Sequence, residues 1–252
     1  MRIVFFGDSL TEGVDGASYL RVLEERTRAD DRLAGLELIN AGTGGDTIVN
    51  LARRLGRDVV PRQPDWVVLF LGVNDCTTYL LPRSLPTLAN YRSRRYFRRD
   101  KGVRQSVTPE RFRDGLRIVV EGIRARTPAR VAICTPSTFG ESLHSRNWRM
   151  LGRYADVARL VASERGCPLI DVRAALEREL ARLPERSLPT RVRSRLTRGL
   201  RGVDIEELSR RRGFALTYDG VHYNERGAAL VAGVFEQWLL KMMSVEAPVS
   251  AP

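Results

Sequence analysis

Short apolar runs recur along this chain at residues 2–6, 36–40, 66–71, 130–135 and 168–172. Runs of this length, bounded by Gly, Pro, Asp or Asn, predict strands buried on both faces. Between and after them, apolar residues recur at helical spacing over about 17–30, 47–59, 109–127, 148–165, 173–183 and 225–243. A strand followed by a helix and another strand needs a crossover connection, and right-handed crossovers build parallel sheets. The pattern therefore predicts an α/β fold, a three-layer α/β/α sandwich around a five-stranded parallel sheet. A chain of 252 residues can bury such a core as one domain, here read over residues 1–244. The Pro/Ala/Ser-rich tail, 245–252, is expected to fray.

Two stretches interrupt the alternation. Residues 76–108 connect the third strand to the next helix, and a connection of that length is usually a lid or binding loop. It holds Tyr79, Tyr91, Tyr96 and Phe97 among Arg92, Arg94, Arg95, Arg98 and Arg99. Residues 184–213 form the second. Leu188, Val192, Leu196 and Leu200 repeat every four residues, with Arg191, Arg193, Arg195, Arg198 and Arg201 around them, which predicts a helical cap with a narrow apolar stripe. A further short helix is expected from an Asp204 N-cap to a terminating Gly213.

Charge follows the same division. The chain carries a net charge of +12, and 40 of its 42 basic residues are Arg. Residues 82–113 contain ten basic and two acidic side chains, and residues 178–213 contain eleven and five. These nets of +8 and +6 exceed the total of +12, so the remainder sums to −2. The scaffold is thus near neutral and the basicity sits in the interruptions. Three roles fit them: a solvated surface, capture of an anionic ester, or a membrane-surface helix presenting lipid.

The three cysteines, Cys76, Cys134 and Cys167, have no metal-ligand spacing and are expected to be buried thiols. No apolar run approaches 18 residues, so no membrane span is expected. Arg2 leads straight into the first strand, which leaves no secretory leader and predicts a cytoplasmic protein.

The chemistry lies in four short segments: Gly7-Asp8-Ser9-Leu10, Gly45-Asp46-Thr47, Gly72-Val73-Asn74-Asp75 and Asp219-Gly220-Val221-His222. The first three follow predicted strands one, two and three. In an open parallel sheet the carboxyl ends of the strands line the ligand crevice, so three distant segments meet at one edge. Their identity and order resemble the SGNH/GDSL hydrolase family, whose Ser, Gly, Asn and His blocks occur in this sequence. The resemblance runs from Met1 to about Leu240, the two interruptions excepted. It implies the flavodoxin-like strand order 2-1-3-4-5 and a serine ester hydrolase.

A serine hydroxyl needs an adjacent base. The chain has two histidines, His144 and His222. Asp219 lies three residues before His222, and a turn through Gly220 can bring its carboxylate to Nδ1, leaving Nε2 for Ser9. The catalytic candidates are therefore Ser9, Asp219 and His222. By resemblance, the oxyanion hole comprises the backbone N–H groups of Ser9 and Gly45 and the side-chain amide of Asn74. Asp8, Asp46 and Asp75 are expected to bond loop N–H groups and lock the segments together. Asp8 and Asp75, with Tyr79, His144 and Arg95, are also the candidate substrate contacts. No metal or cofactor is expected.

The reading is cleavage of a carboxylic (O-acyl) ester through an acyl-enzyme. The substrate is a small-molecule, sugar or lipid ester, and capture of an anionic one is among the roles open to the arginines. An O-acyltransferase on the same residues is the alternative, separated by product analysis. A basic nucleic-acid-binding protein is a remote one, because it leaves all four segments unexplained.

Overall fold

A computed structural model describes residues 1–81, 88–183 and 204–246. Strands β1 (Arg2–Gly7), β2 (Glu37–Gly42), β3 (Trp66–Phe70), β4 (Arg130–Cys134) and β5 (Leu169–Ile170) form one sheet. All neighbours pair in parallel, in the order β2-β1-β3-β4-β5. This is the predicted sheet. The helices are α1 (Ser9–Glu12), α2 (Tyr19–Ala29), α3 (Ile48–Asp58), α4 (Val73–Leu80), α5 (Leu88–Arg95), α6 (Pro109–Arg124), α7 (Arg146–Glu164), α8 (Val172–Ala181), α9 (Ile205–Arg212) and α10 (Glu225–Glu246). Helices α2, α8 and α10 pack together in one layer, and α3, α6 and α7 in the other.

Alternation along β1 shows how the layers are filled. Phe5 points to one side, where its ring meets Tyr19 of α2 and Phe235 of α10, and Phe70 of β3 joins the same cluster. Phe6 points to the other, beneath the Arg54 guanidinium of α3 at 4.4 Å. Ile3, Val4, Phe5 and Phe6 are fully buried. Burying whole side chains of this size contributes roughly 1.5–3 kcal/mol each, which pins β1 centrally and carries Ser9 to the carboxyl edge.

Two expectations change. The fifth strand shrinks to two residues because Asp171 already caps α8, its Oδ1 accepting the Ala174 N–H at 3.0 Å. The described residues of the stretch 76–108 are largely helical rather than a loop. Helix α4 begins directly after β3, with Gly72 as its N-cap, and takes up Asn74, Asp75 and Tyr79. After α5, a π-helical turn covers Tyr96–Asp100. Cys76, Leu80, Phe97, Val103 and Val107 from this stretch enter the core. Interleaved arginines dilute their helical spacing in the sequence.

Of the expected cap, the Leu188–Leu200 stripe lies outside the described residues. The short helix after it is present as α9, with Asp204 accepting the Glu207 N–H at 3.0 Å and Gly213 ending it at φ +73°. Helix α10 continues to Glu246, and residues 247–252 lie outside the described residues. Among the described residues no helix is long and apolar enough to cross a membrane.

Candidate active site

Ser9 opens α1, with Asp8 as its N-cap and the Asp8 Oδ1 accepting the Leu10 N–H at 3.0 Å. Its hydroxyl stands 3.0 Å from His222 Nε2, and His222 Nδ1 stands 2.8 Å from Asp219 Oδ2. The chain between them spans more than two hundred residues, so the contact is a product of the fold. The Asp219–His222 turn is built by its own carboxylate. Oδ1 accepts the N–H groups of Val221 at 2.9 Å and His222 at 2.8 Å, which leaves Oδ2 for the ring. Gly220 sits at φ +92°, a conformation that side chains disfavour. The Tyr218 ring lies nearly parallel to the imidazole at 5.9 Å.

Burial pulls the His222 pKa down, but the hydrogen bond and charge of Asp219, with smaller help from Asp15 and Asp8, outweigh it. The net shift is upward from the ordinary imidazole value. A neutral ring that donates from Nδ1 to Asp219 presents Nε2 as an acceptor to Ser9. That tautomer is dictated by the carboxylate.

The turn is held from two further sides. Glu141, in the loop after β4, is buried and accepts the N–H groups of Ala215 at 2.6 Å, Leu216 at 2.8 Å and Thr217 at 2.7 Å, plus the Thr217 hydroxyl at 2.7 Å. The Gly140 N–H and the Thr138 hydroxyl both donate to the Gly220 carbonyl. From α9, Ser209 donates to the Thr217 carbonyl at 2.6 Å. The described part of the second Arg-rich stretch therefore braces the histidine turn.

Opposite Ser9 lies the end of β2. Gly45 has φ +77°, and a Cβ there would lie 2.1 Å from the Tyr96 hydroxyl, so no larger residue fits. The backbone N–H groups of Ser9 and Gly45 donate to no described group. Asn74, in the first turn of α4, donates from Nδ2 to the Asp46 carbonyl at 3.0 Å and to Asp8 Oδ2 at a long 3.4 Å. The second bond is weak, so that proton is the one an incoming oxyanion can take over. Asn74 thus bonds the residue before Ser9 and the residue after Gly45.

The aspartates serve protein groups. Asp75 is fully buried, with Oδ1 accepting the Ile48 N–H at 2.9 Å and Oδ2 unpartnered. Burial pushes its pKa up to about 8 and that of Asp8 up to about 7. The two were candidate substrate contacts, and their burial corrects that for Asp75 outright, while Asp8 caps α1 and faces Asn74. Asp46 does not bond a loop N–H as expected. Its carboxylate is gripped by Arg54 Nε at 2.6 Å and Lys101 Nζ at 2.8 Å.

Arg54 is a residue that the sequence reading missed. Its side chain is 9% exposed, and it donates to the carbonyls of Gly7 at 2.7 Å and Ala41 at 2.9 Å and to Asp58 at 2.9 Å. One guanidinium therefore ties the ends of β1 and β2 to the oxyanion loop. Arg54→Ala leaves buried Asp46 and two carbonyls short of donors, and is expected to cost roughly 3–5 kcal/mol, read from urea unfolding midpoints. Arg54→Lys should recover little, because an ammonium cannot reproduce the planar fork. The sequence signal was weak: an arginine on the face of α3 that should be apolar.

His144 is exposed in the turn before α7, and Arg95 is exposed at the end of α5. Tyr79 is partly buried against the core. The next residue along, Tyr96, does reach the oxyanion loop, as Lys101 does, and its hydroxyl donates to the Gly44 carbonyl at 3.2 Å. Among the described residues no three His, Cys, Asp or Glu side chains stand together as a metal donor set.

The chain matches the GDSL-like Lipase/Acylhydrolase family over residues 5–230. An acetylxylan esterase of Geobacillus stearothermophilus is 29% identical over 86 residues, a stretch that covers 29% of this chain and 39% of that protein. The structure of an acetyl xylan esterase, AlAXEase, superposes with a TM-score of 0.65 at 24% identity, covering 94% of this chain and 99% of that one. Axe2, an acetylxylan esterase from Geobacillus stearothermophilus, gives 0.66 at 19% identity, covering 94% and 93%. LAE5, an α/β hydrolase enzyme from the metagenome of Lake Arreo, Spain, gives 0.66 at 22%, covering 96% and 95%. At these identities the structures share the fold, and the family match covers most of the chain. The chain belongs to the GDSL-like lipase/acylhydrolase family, a family of carboxylic ester hydrolases.

Proposed function

We propose that this protein is a serine-dependent esterase that removes a short acyl group, with O-acetyl on a carbohydrate hydroxyl as the substrate class of choice. The observation that carries the mechanism is the relay of Ser9 Oγ, His222 Nε2, His222 Nδ1 and Asp219 Oδ2 at 3.0 and 2.8 Å. The comparisons support both the substrate class and the reacting groups. The curated relative and several of the structural neighbours are acetylxylan esterases. Catalytic mutants of Axe2 replace a serine, an aspartate and a histidine, the latter two three positions apart, which is the spacing of Asp219 and His222.

In this reading Ser9 Oγ bonds the acyl carbon as its proton passes to His222 Nε2. The carbonyl π pair moves to oxygen, where the N–H groups of Ser9 and Gly45 and the amide of Asn74 receive the negative charge. Asp219 stabilises the imidazolium without taking its proton. Collapse of the tetrahedral intermediate breaks the ester C–O bond, and His222 protonates the departing alkoxide. Water then gives a proton to Nε2 as it attacks the acyl-enzyme. A second collapse releases the carboxylic acid and returns that proton to Ser9.

A 4-nitrophenyl phosphonate tests the nucleophile directly. Wild type should release one equivalent of nitrophenol and gain the phosphonyl mass on the peptide containing Ser9, and unfolding in urea should abolish the labelling. Labelling at another residue, or labelling that survives unfolding, removes the proposal. A p-nitrophenyl series from C2 to C16 tests the acyl preference, with turnover expected to fall as the chain lengthens.

A further inference from the structure

The Arg-rich stretch after β3 invites a role in attracting anionic substrates, yet its described contacts point inward. Tyr96 donates its hydroxyl to the Gly44 carbonyl at 3.2 Å, and its ring packs edge-on against buried Phe97 at 5.3 Å. Lys101 bonds the Asp46 carboxylate at 2.8 Å, and its carbonyl accepts the Asn50 side-chain amide at 2.8 Å. Arg53 reaches the Gly102 carbonyl. Apart from Phe97, which belongs to the stretch itself, these partners lie on the oxyanion loop or the first turns of α3 that follow it.

Resting on the serine-esterase reading, we infer that Tyr96 is a positioning residue for the reaction: its hydroxyl fixes the Gly44–Gly45 peptide so that the Gly45 N–H is presented to the oxyanion. The argument is geometric. A peptide unit is planar and trans, so the Gly44 carbonyl and the Gly45 N–H lie in one plane and point in opposite directions. Holding the carbonyl on the Tyr96 side aims the N–H the other way. Two glycines in succession make this necessary, because neither residue restricts the rotation of that plane, and the αL and β regions are about equally open to them. Gly45 stands at φ +77° and its N–H donates to no described group, as a donor reserved for a ligand must. A hydrogen bond received at the carbonyl also polarises the peptide and strengthens the donor at its far end. Lys101 holds the next residue, Asp46, whose own carbonyl accepts from Asn74. The stretch therefore clamps two of the three oxyanion donors.

Tyr96→Phe removes the hydroxyl and keeps the ring against Phe97. With p-nitrophenyl acetate, kcat should fall about tenfold, short of the ~10²–10³ lost when an oxyanion donor is itself deleted. KM and the unfolding midpoint should stay near wild type. The rate of phosphonylation by a 4-nitrophenyl phosphonate should drop by the same factor as kcat, since it passes through a comparable charged tetrahedral geometry. A role in packing alone would move the unfolding midpoint and leave that parallel unmatched. Unchanged kcat and phosphonylation in Tyr96→Phe overturn the inference, as does a rise in KM alone, which would make Tyr96 a substrate contact. Ser9→Ala, run alongside, separates the two readings. An inactive Ser9→Ala with a fully active Tyr96→Phe sinks this inference alone, whereas an active Ser9→Ala sinks the esterase mechanism beneath it.

Discussion

Ser9→Ala lowers kcat for p-nitrophenyl acetate by on the order of 10⁶ and leaves the protein folded. In the proposed mechanism the loss is large because the hydroxyl is the group that forms the covalent bond, and the remaining groups only bind and polarise the ester. The serine, its base and the carboxylate behind the base act as a unit, so removing one disables the relay. Stability should hold because Ser9 lies at the first position of α1, where alanine is well tolerated, and its hydroxyl bonds the His222 ring. Loss of one such bond costs about 1 kcal/mol. Rates measured with active-site titration, beside a urea melt of each protein, decide the matter. A variant that keeps a tenth or more of wild-type kcat rules out Ser9 as the nucleophile.

The second large effect belongs to Asp219→Asn, expected to lower kcat about 10⁴-fold. The substituted amide can keep its oxygen on the N–H groups of Val221 and His222 and so preserve the turn. Its NH₂ then faces His222 Nδ1, which must become an acceptor. The ring proton moves to Nε2, and the lone pair that would take the Ser9 proton is gone. The pH profile carries an independent signature. Burial lowers the His222 pKa, and the Asp219 hydrogen bond and charge raise it further than burial lowers it. The base works only when neutral, so the acidic limb of kcat/KM in wild type should lie above about 6.5, the ordinary histidine value. Without the carboxylate the lowering by burial remains, and the limb moves to lower pH.

Stability follows the same linkage. A histidine whose folded pKa is raised contributes stability that is fully present below its unfolded pKa and is lost as pH rises through the folded one. The difference in unfolding free energy between wild type and Asp219→Asn should therefore be larger at pH 5 than at pH 9. An acidic limb that stays in place in the variant would falsify the assignment of the shift to Asp219.

Much of this molecule could be read before any coordinates. Strands β1 to β4 are runs of branched and aromatic residues flanked by turn formers, and their alternation with amphipathic helices leaves little choice but a parallel sheet. Ser9, Gly45, Asn74 and the Asp219–His222 pair sit in short segments whose local chemistry is complete in itself: a cap, a glycine turn, a helix start, a carboxylate three residues before its imidazole. The braces were less legible. Arg54, Glu141, Tyr96 and Lys101 each bond groups that are near in space and, apart from the Arg54 contacts within α3 and its loop, far along the chain. Nothing local distinguishes such an arginine or glutamate from a solvated one. Nothing in the sequence separates Tyr96 from its neighbour Arg95, and the arginines of α5 mask its apolar spacing.

By itself the sequence determined the layer architecture and the family, and it named the groups that the proposed mechanism uses, because these depend on periodicity and on residues adjacent in the chain. The tertiary structure alone decided that the Ser9 hydroxyl meets the His222 ring, that Arg54 and Glu141 hold the loops around it, and that the described parts of the basic stretches bond those loops. Those are questions of distance and burial between segments up to two hundred residues apart, and hydrogen-bond and charge energies depend on that separation and not on position in the chain.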